Sequence, residues 1–199
     1  MRWLHDDMPG GPEENMAADA ALLAESAAGD VPAVVRVYTW DRPAVSIGRL
    51  QQEAPVRAAY PDLPIVRRPT GGRAVLHGDD LTVSVTVRLL RLPEDSRTVP
   101  ASHHLIMGGV LRALQSLGLE VCFGGCAIGS QAGIVNCFDL SAACDLIDSH
   151  TGKKLVGSAQ RREEGAFLQQ MSLPLGILSD RALFLRCLHD EFQQTFSGA

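Results

Sequence analysis

Apolar and polar positions alternate without a break from Leu81 to Leu89. Leu81, Val83, Val85, Val87 and Leu89 fall on one side, and Thr82, Ser84, Thr86 and Arg88 on the other. That period of two predicts a half-buried strand. AVVRVYTW from Ala33, AVSIG from Ala44 and GAFLQQMSL from Gly165 read as further strands. Met107, Val110, Leu111, Leu114 and Leu117 follow helical spacing instead, and Gly118 stops that helix. Asn15 to Ala28 predicts a helix ended by Gly29, and Ser179 is placed to cap a last helix running through Phe196. PIVRRP leads into a Gly71-Gly72 turn, and the small, polar stretch from Gly124 to Gln131 reads as a loop. CDLID and KKLVGSA flank Ser149-His150-Thr151-Gly152, which predicts a hairpin. Strands fill the middle of the chain, helices flank them, and no regular β-α-β alternation occurs. The expected class is α+β, a mixed, largely antiparallel sheet flanked by helices. The length of 199 residues predicts one domain over 1–199, with no C-terminal accessory domain.

Composition narrows the possible functions. Charged residues make up 21% and the formal net charge is −5, which argues against a general nucleic-acid binder. Local basic patches remain, because Arg67, Arg68, Arg73, Arg161 and Arg162 gather in two short stretches. The first residues, MRWLHDDMPGG, do not read as a signal peptide, and no stretch has the apolar length of a membrane span. A cytoplasmic protein with no membrane partner is expected. Its five cysteines are then thiols, and their spacing lacks the two close pairs of a structural zinc site, so no metal is expected.

Three stretches carry candidate chemistry. In RRPTGGRAVLHG, Gly71 and Gly72 let the backbone approach a ligand, and Arg68 and Arg73 offer donors suited to phosphate or carboxylate. The same letters also read as a plain hairpin with exposed arginines. In HTGKKLVGSAQRRE, Lys153 and Lys154 are the only lysines against 16 arginines. An ammonium is a compact charge able to donate to an acyl oxygen, though a lysine after a glycine turn is more often simply solvated. Strand alternation puts Lys154, Val156 and Ser158 on one face and Lys153, Leu155 and Gly157 on the other, with Lys154 expected to point inward. Cys137, in IVNCFDLSAACDL, reads either as a small buried hydrophobe or as the nucleophile of thioester exchange.

Together these residues resemble the lipoate and biotin protein ligase superfamily. Its Arg-Arg-x-x-Gly-Gly-x-Ala-Val-x-His signature appears as Arg67 to His77, and its Gly-Lys-Lys-x-x-Gly-Ser-Ala motif as Gly152 to Ala159. Asn15-Met16-Ala17, Tyr38-x-Trp40 and Ser46-Ile47-Gly48 also match. The nearest resemblance is to the Cys-dependent octanoyltransferases of the lipoate pathway, which carry Cys-Phe-Asp ahead of the lysine hairpin, here Cys137-Phe138-Asp139. Lipoate-protein ligases come next. The chain departs from the pattern at Gly78, where an Asp is usual, and at Gln170-Met171, where His-Gly is usual.

The resemblance implies a biotin/lipoate ligase-like catalytic domain that moves an octanoyl or lipoyl group from a carrier thioester through Cys137 to a lysine of a lipoyl-accepting protein. It implies Cys137 and Lys154 as catalytic residues. Arg68, Gly71, Gly72, Arg73, Ala74, His77, Gly157 and Ser158 would surround the acyl group or adenylate. The transferase needs no cofactor. Its donor would be octanoyl-acyl carrier protein, and its acceptor a lipoyl domain or a glycine-cleavage H-type protein. The alternative is a lipoate-protein ligase that uses free lipoate with ATP and Mg, possibly with a separate second subunit, to form lipoyl-adenylate. A second alternative is a degenerate family member that only binds lipoyl groups.

Overall fold

The computed structural model describes residues 1–29, 31–124 and 144–197. Its main sheet has seven strands. In chain order these are β1 (Arg2–His5), β2 (Val34–Tyr38), β6 (Asp80–Arg88), β7 (Val121–Phe123), β8 (Leu146–Asp148), β9 (Lys154–Glu163) and β10 (Ala166–Pro174). Across the sheet the order is β1-β2-β6-β10-β9-β8-β7. Among the described residues only β1 and β2 pair in parallel in this sheet; every other neighbouring pair is antiparallel. A smaller sheet places β3 (Ala44–Ile47) between β4 (Ile65–Arg67), which is parallel to it, and β5 (Val75–His77), which is antiparallel. The expected mixed, largely antiparallel sheet with helices around it is therefore present.

The helices are α1 (Pro12–Ala28), α2 (Glu53–Ala59), α3 (Val99–Gln115) and α4 (Arg181–Phe196). The main core lies between one face of the large sheet and the pair α3 and α4. There Val83, Val85 and Phe167 meet Met107, Val110, Phe184 and Phe192, all without solvent exposure. Gly109 permits this closeness: a Cβ there would stand 2.9 Å from the Phe192 ring. A glycine inside a helix costs roughly 1 kcal/mol against alanine, and the tight α3–α4 contact is what it permits.

Strand β6 is not half-buried as its alternation predicts. Both of its faces are covered from Asp80 to Val87. Helix α1 lies over the polar face and brings buried polar groups to meet it. Asp19, fully buried, accepts hydrogen bonds from Ser84 Oγ at 2.8 Å, Tyr38 OH at 2.8 Å, Arg36 Nη1 at 3.1 Å and Gln170 Nε2 at 2.7 Å. Arg36 also donates to Asp6 at 2.6 Å and to both oxygens of Asn15. Burial, the Asp19 charge and the hydrogen bond to Asp19 hold the Tyr38 phenol well above its ordinary pKa, so it stays a donor.

Other boundaries also shift. Helix α1 starts at Pro12 rather than Asn15, because proline is preorganised for the first helical turn, and Glu14 caps the Gly11 N–H at 3.0 Å. Asp180, not Ser179, caps α4 by accepting the Leu183 N–H at 2.8 Å. The Gly71-Gly72 stretch does not close a hairpin, since β4 and β5 flank β3 instead of pairing. His77 is the last residue of β5. The β8–β9 hairpin forms as expected, with a register shift near Leu146 and Ile147.

Candidate active site

The small sheet and helix α1 meet the polar face of the large sheet around a narrow cavity, partly open to solvent. Met16, Tyr38, Trp40, Val75 and Met171 give it apolar walls. Ser46, His77, Thr82, Gln170 and Ser172 add polar groups. Small-ligand sites of this kind pair an apolar surround with a few placed polar groups.

All of these polar groups except Gln170 join one hydrogen-bonded network centred on His77 and Asp80. Arg68 Nη1 donates to Ser46 Oγ at 3.2 Å, and Ser46 Oγ is 2.8 Å from His77 Nε2. His77 Nδ1 is 2.8 Å from Asp80 Oδ2. Asp80 also accepts from Ser172 Oγ at 2.7 Å, Gly78 N–H at 3.1 Å and Thr82 Oγ1 at 3.3 Å. Burial raises the Asp80 pKa, but hydrogen bonds from His77, Ser172 and Gly78 and the attraction of His77 together bring it below the ordinary carboxylate value. An ionised Asp80 accepts a hydrogen bond from the Nδ1–H of His77. The network thus assigns Nε2 as the acceptor of the Ser46 hydroxyl proton. Trp40 stacks on the His77 ring with 3.8 Å between centroids and donates its Nε1–H to Thr82 Oγ1 at 3.0 Å. Gly78 stands where the family pattern has an aspartate, and Asp80 supplies the carboxylate for His77.

Of the candidate site residues, Arg68, His77, Gly157 and Ser158 line this cavity. Arg68 is buried, and its guanidinium holds the turn: it donates to the carbonyls of Gly71 (2.6 Å), Arg73 (2.7 Å) and Ser46 (3.0 Å). Gly71 and Gly72 line a separate open groove of about 1110 Å³, beside Arg49, Leu50, Gln51 and Arg161. A Cβ on Gly48 would collide with the Gly72 carbonyl, so the turn lies directly against that backbone. Ala74 packs with Val45, Ile47 and Val56 and lines neither space. Ser158 Oγ is engaged by His103 Nε2 at 2.7 Å and by Gln169 Nε2 at 3.0 Å.

Lys154 points inward, as alternation predicts. It forms an ion pair of 2.8 Å with Asp145, their side chains 4% and 6% exposed. It lines neither the cavity nor the groove. Cys137 lies outside the described residues, as does Cys126; the neighbouring Cys144 thiol is raised by burial and by the Asp145 charge. Asp80, Asp145 and Asp19 were not singled out by sequence reasoning. The available signals were two acids, Asp79 and Asp80, one residue past the motif histidine, and a polar helix stripe matching the Thr and Ser face of the long strand.

The chain belongs to the lipoyl protein ligase A/B catalytic domain family, whose model matches residues 11–196. It is 37% identical over 187 residues to octanoyltransferase LipM of an Exiguobacterium species, covering 87% of this chain and 65% of that protein. With octanoyltransferase LipM of Bacillus subtilis it shares 36% over 183 residues, covering 85% of this chain and 64% of that one. The chain thus spans less than two thirds of the length of these relatives. Among solved structures, a lipoate-protein ligase A bound with ATP superposes with a TM-score of 0.77 at 21% identity, covering 98% of this chain and 85% of that one. A bi-partite lipoate protein ligase from Thermoplasma acidophilum superposes with a TM-score of 0.70 at 19% identity, covering 98% and 83%. These two likenesses establish the fold.

Proposed function

We propose that the protein is an octanoyltransferase. It takes the acyl group of an octanoyl-carrier thioester onto Cys137 and passes it to a lysine of a lipoyl-accepting protein, in the cytoplasm. The observation that carries this reading is the 37% identity to an octanoyltransferase over 87% of the chain. The narrow apolar cavity supports it, because an alkyl chain gains from leaving water at roughly 0.8 kcal/mol per methylene.

In this reading the Cys137 thiolate attacks the carrier thioester and expels the carrier thiol. The acceptor amine then attacks the acyl-cysteine, the new C–N bond forms, and the Cys137 thiolate leaves. Thioester exchange is nearly even in free energy and amide formation is downhill, so no nucleotide enters. The protein supplies position and charge stabilisation. Lys154, fixed by Asp145 outside the cavity lining, is the cation proposed to meet the acyl carbonyl where it leaves the cavity. Arg68 and the Gly48–Gly72 contact hold the turn beside the separate groove.

A second reading is favoured by one observation: the open groove beside Gly71 and Gly72 presents Arg49 and Arg161, residues suited to a nucleotide phosphate. There the protein would be a ligase forming lipoyl-adenylate with ATP and Mg, and Cys137 would only pack. One purified acceptor, offered octanoyl-carrier in one tube and lipoate with ATP in another, separates the two. The proposal expects acylation from the carrier without nucleotide. Acylation only with ATP, persisting in Cys137→Ala, would overturn it, and no turnover in either tube would leave the degenerate lipoyl-binding reading.

A further inference from the structure

Open grooves of opposite charge lie near the acyl cavity. The groove beside Gly71 and Gly72 carries Arg49, Arg161 and Arg162 against Glu163. Another is walled by Pro43, Leu76, Asp79 and Pro174 and shares His77 and Ser172 with the cavity. Among the described residues no lysine or arginine lines this groove. Its inner end therefore borders the acyl cavity, and its charge is carboxylate.

The two carboxylates of the groove are not equivalent. Asp80 is buried and already accepts from His77, Ser172, Gly78 and Thr82. Asp79 is exposed, and among the described residues its side chain has no hydrogen-bond or ion-pair partner. Its backbone carbonyl accepts the Leu175 N–H at 3.0 Å, so the free carboxylate stands on anchored chain. In the same groove Leu76 is 47% exposed on β5, an edge strand of the small sheet. An open carboxylate among apolar walls suits a lysine, whose stem lies on apolar surface while its ammonium stays near water.

The groove also opens towards Lys154. Gly157 lies opposite Ser172, and both line the cavity. From that pair β9 runs back to Lys154 while β10 runs on to Pro174. Pro174, in the groove wall, and Lys154, the cation proposed for the acyl carbonyl, thus lie to the same side of the pair.

We infer that this groove is the acceptor subsite: the lysine of the lipoyl-accepting protein enters along Leu76 and Pro174, its ammonium drawn by Asp79. This deepens the octanoyl-transfer reading and rests on it. The groove is open to solvent, so the ammonium gives up a proton to water there before its nitrogen attacks the acyl group.

The test isolates the octanoyl-enzyme after loading from octanoyl-carrier and discharges it in single turnovers with two nucleophiles. One is a purified lipoyl domain, which presents a lysine; the other is hydroxylamine, small and mostly uncharged at neutral pH. Loading should be unchanged in Asp79→Asn and Asp79→Lys. The second-order rate with the lipoyl domain, divided by that with hydroxylamine, should fall about threefold in Asp79→Asn and about tenfold or more in Asp79→Lys. Both falls should shrink as salt is raised. Asp79 is exposed, so both variants should keep the wild-type Tm. If wild type never loads, the octanoyl-transfer reading has failed and the acceptor subsite with it. If wild type loads and discharges but Asp79→Lys keeps the wild-type ratio, or slows both nucleophiles equally, only the acceptor subsite is overturned.

Discussion

Replacing Asp19 with alanine tests the link between helix α1 and the cavity. Asp19 is wholly buried and receives four donors, from Arg36, Tyr38, Ser84 and Gln170. Removing one partner of a buried ion pair costs about 3–5 kcal/mol. Arg36 keeps Asp6 at 2.6 Å, which favours the lower end of that range. Three neutral donors lose their acceptor as well, at about 1–3 kcal/mol for each that finds no substitute. The Tyr38 and Ser84 hydroxyls can turn elsewhere, while the Gln170 amide is fixed by Thr70 at 2.6 Å on its other side. The expected loss is about 4 kcal/mol, read from urea unfolding as a lower midpoint with an unchanged slope. It should appear as a fall in Tm of about 8–16 °C. Loosening Gln170 also releases Thr70, next to the Gly71-Gly72 turn, so the folded fraction should bind its acyl donor more weakly. A loss below about 1 kcal/mol would refute the view that Asp19 ties α1 to the site.

Gly48→Ala forces its new methyl against the Gly72 carbonyl and should cost about 1–3 kcal/mol, with a larger proportional fall in acyl transfer; an unchanged melt and rate would contradict the tight turn contact. Burial pushes the His103 pKa below its ordinary 6.5, partly countered by the Asp145 charge. Its folded pKa being depressed, its share of stability is complete above about pH 6.5 and is lost as pH falls through the folded value. A ring-proton titration by NMR should therefore show a midpoint below 6.5, and one above it would refute the assignment. Lys154→Arg keeps a cation beside Asp145 but substitutes a planar fork for the compact ammonium. Acyl transfer should drop about 100-fold or more with far-UV CD unchanged, and near-normal transfer would show that an amine is not required.

The class of fold was legible because the alternation in Leu81–Leu89 and the helical spacing from Met107 are strong local signals. The strands β1, β5 and β7, each of three or four residues, were not. Local pattern also misled on β6. Alternation of apolar with Thr and Ser normally means one wet face, but α1 covers that face with a polar stripe of its own. That is a tertiary fact, visible only when Asp19 and Ser84 are brought together from distant parts of the chain. In the site, the motif glycines and His77 were named from the sequence, and so was the inward Lys154. Their partners were harder: Asp145 and Asp80 are ordinary acids in sequence and become special only through burial. Arg68 drew attention as an anion donor, yet packing turns its guanidinium onto backbone carbonyls.

The most direct test of the central claim is intact mass spectrometry after incubation with octanoyl-carrier and no acceptor. Octanoyl transfer through Cys137 predicts a gain of one octanoyl group on wild type, released when acceptor is added and absent from Cys137→Ser. No adduct on wild type, or an adduct that persists in Cys137→Ser, would contradict it.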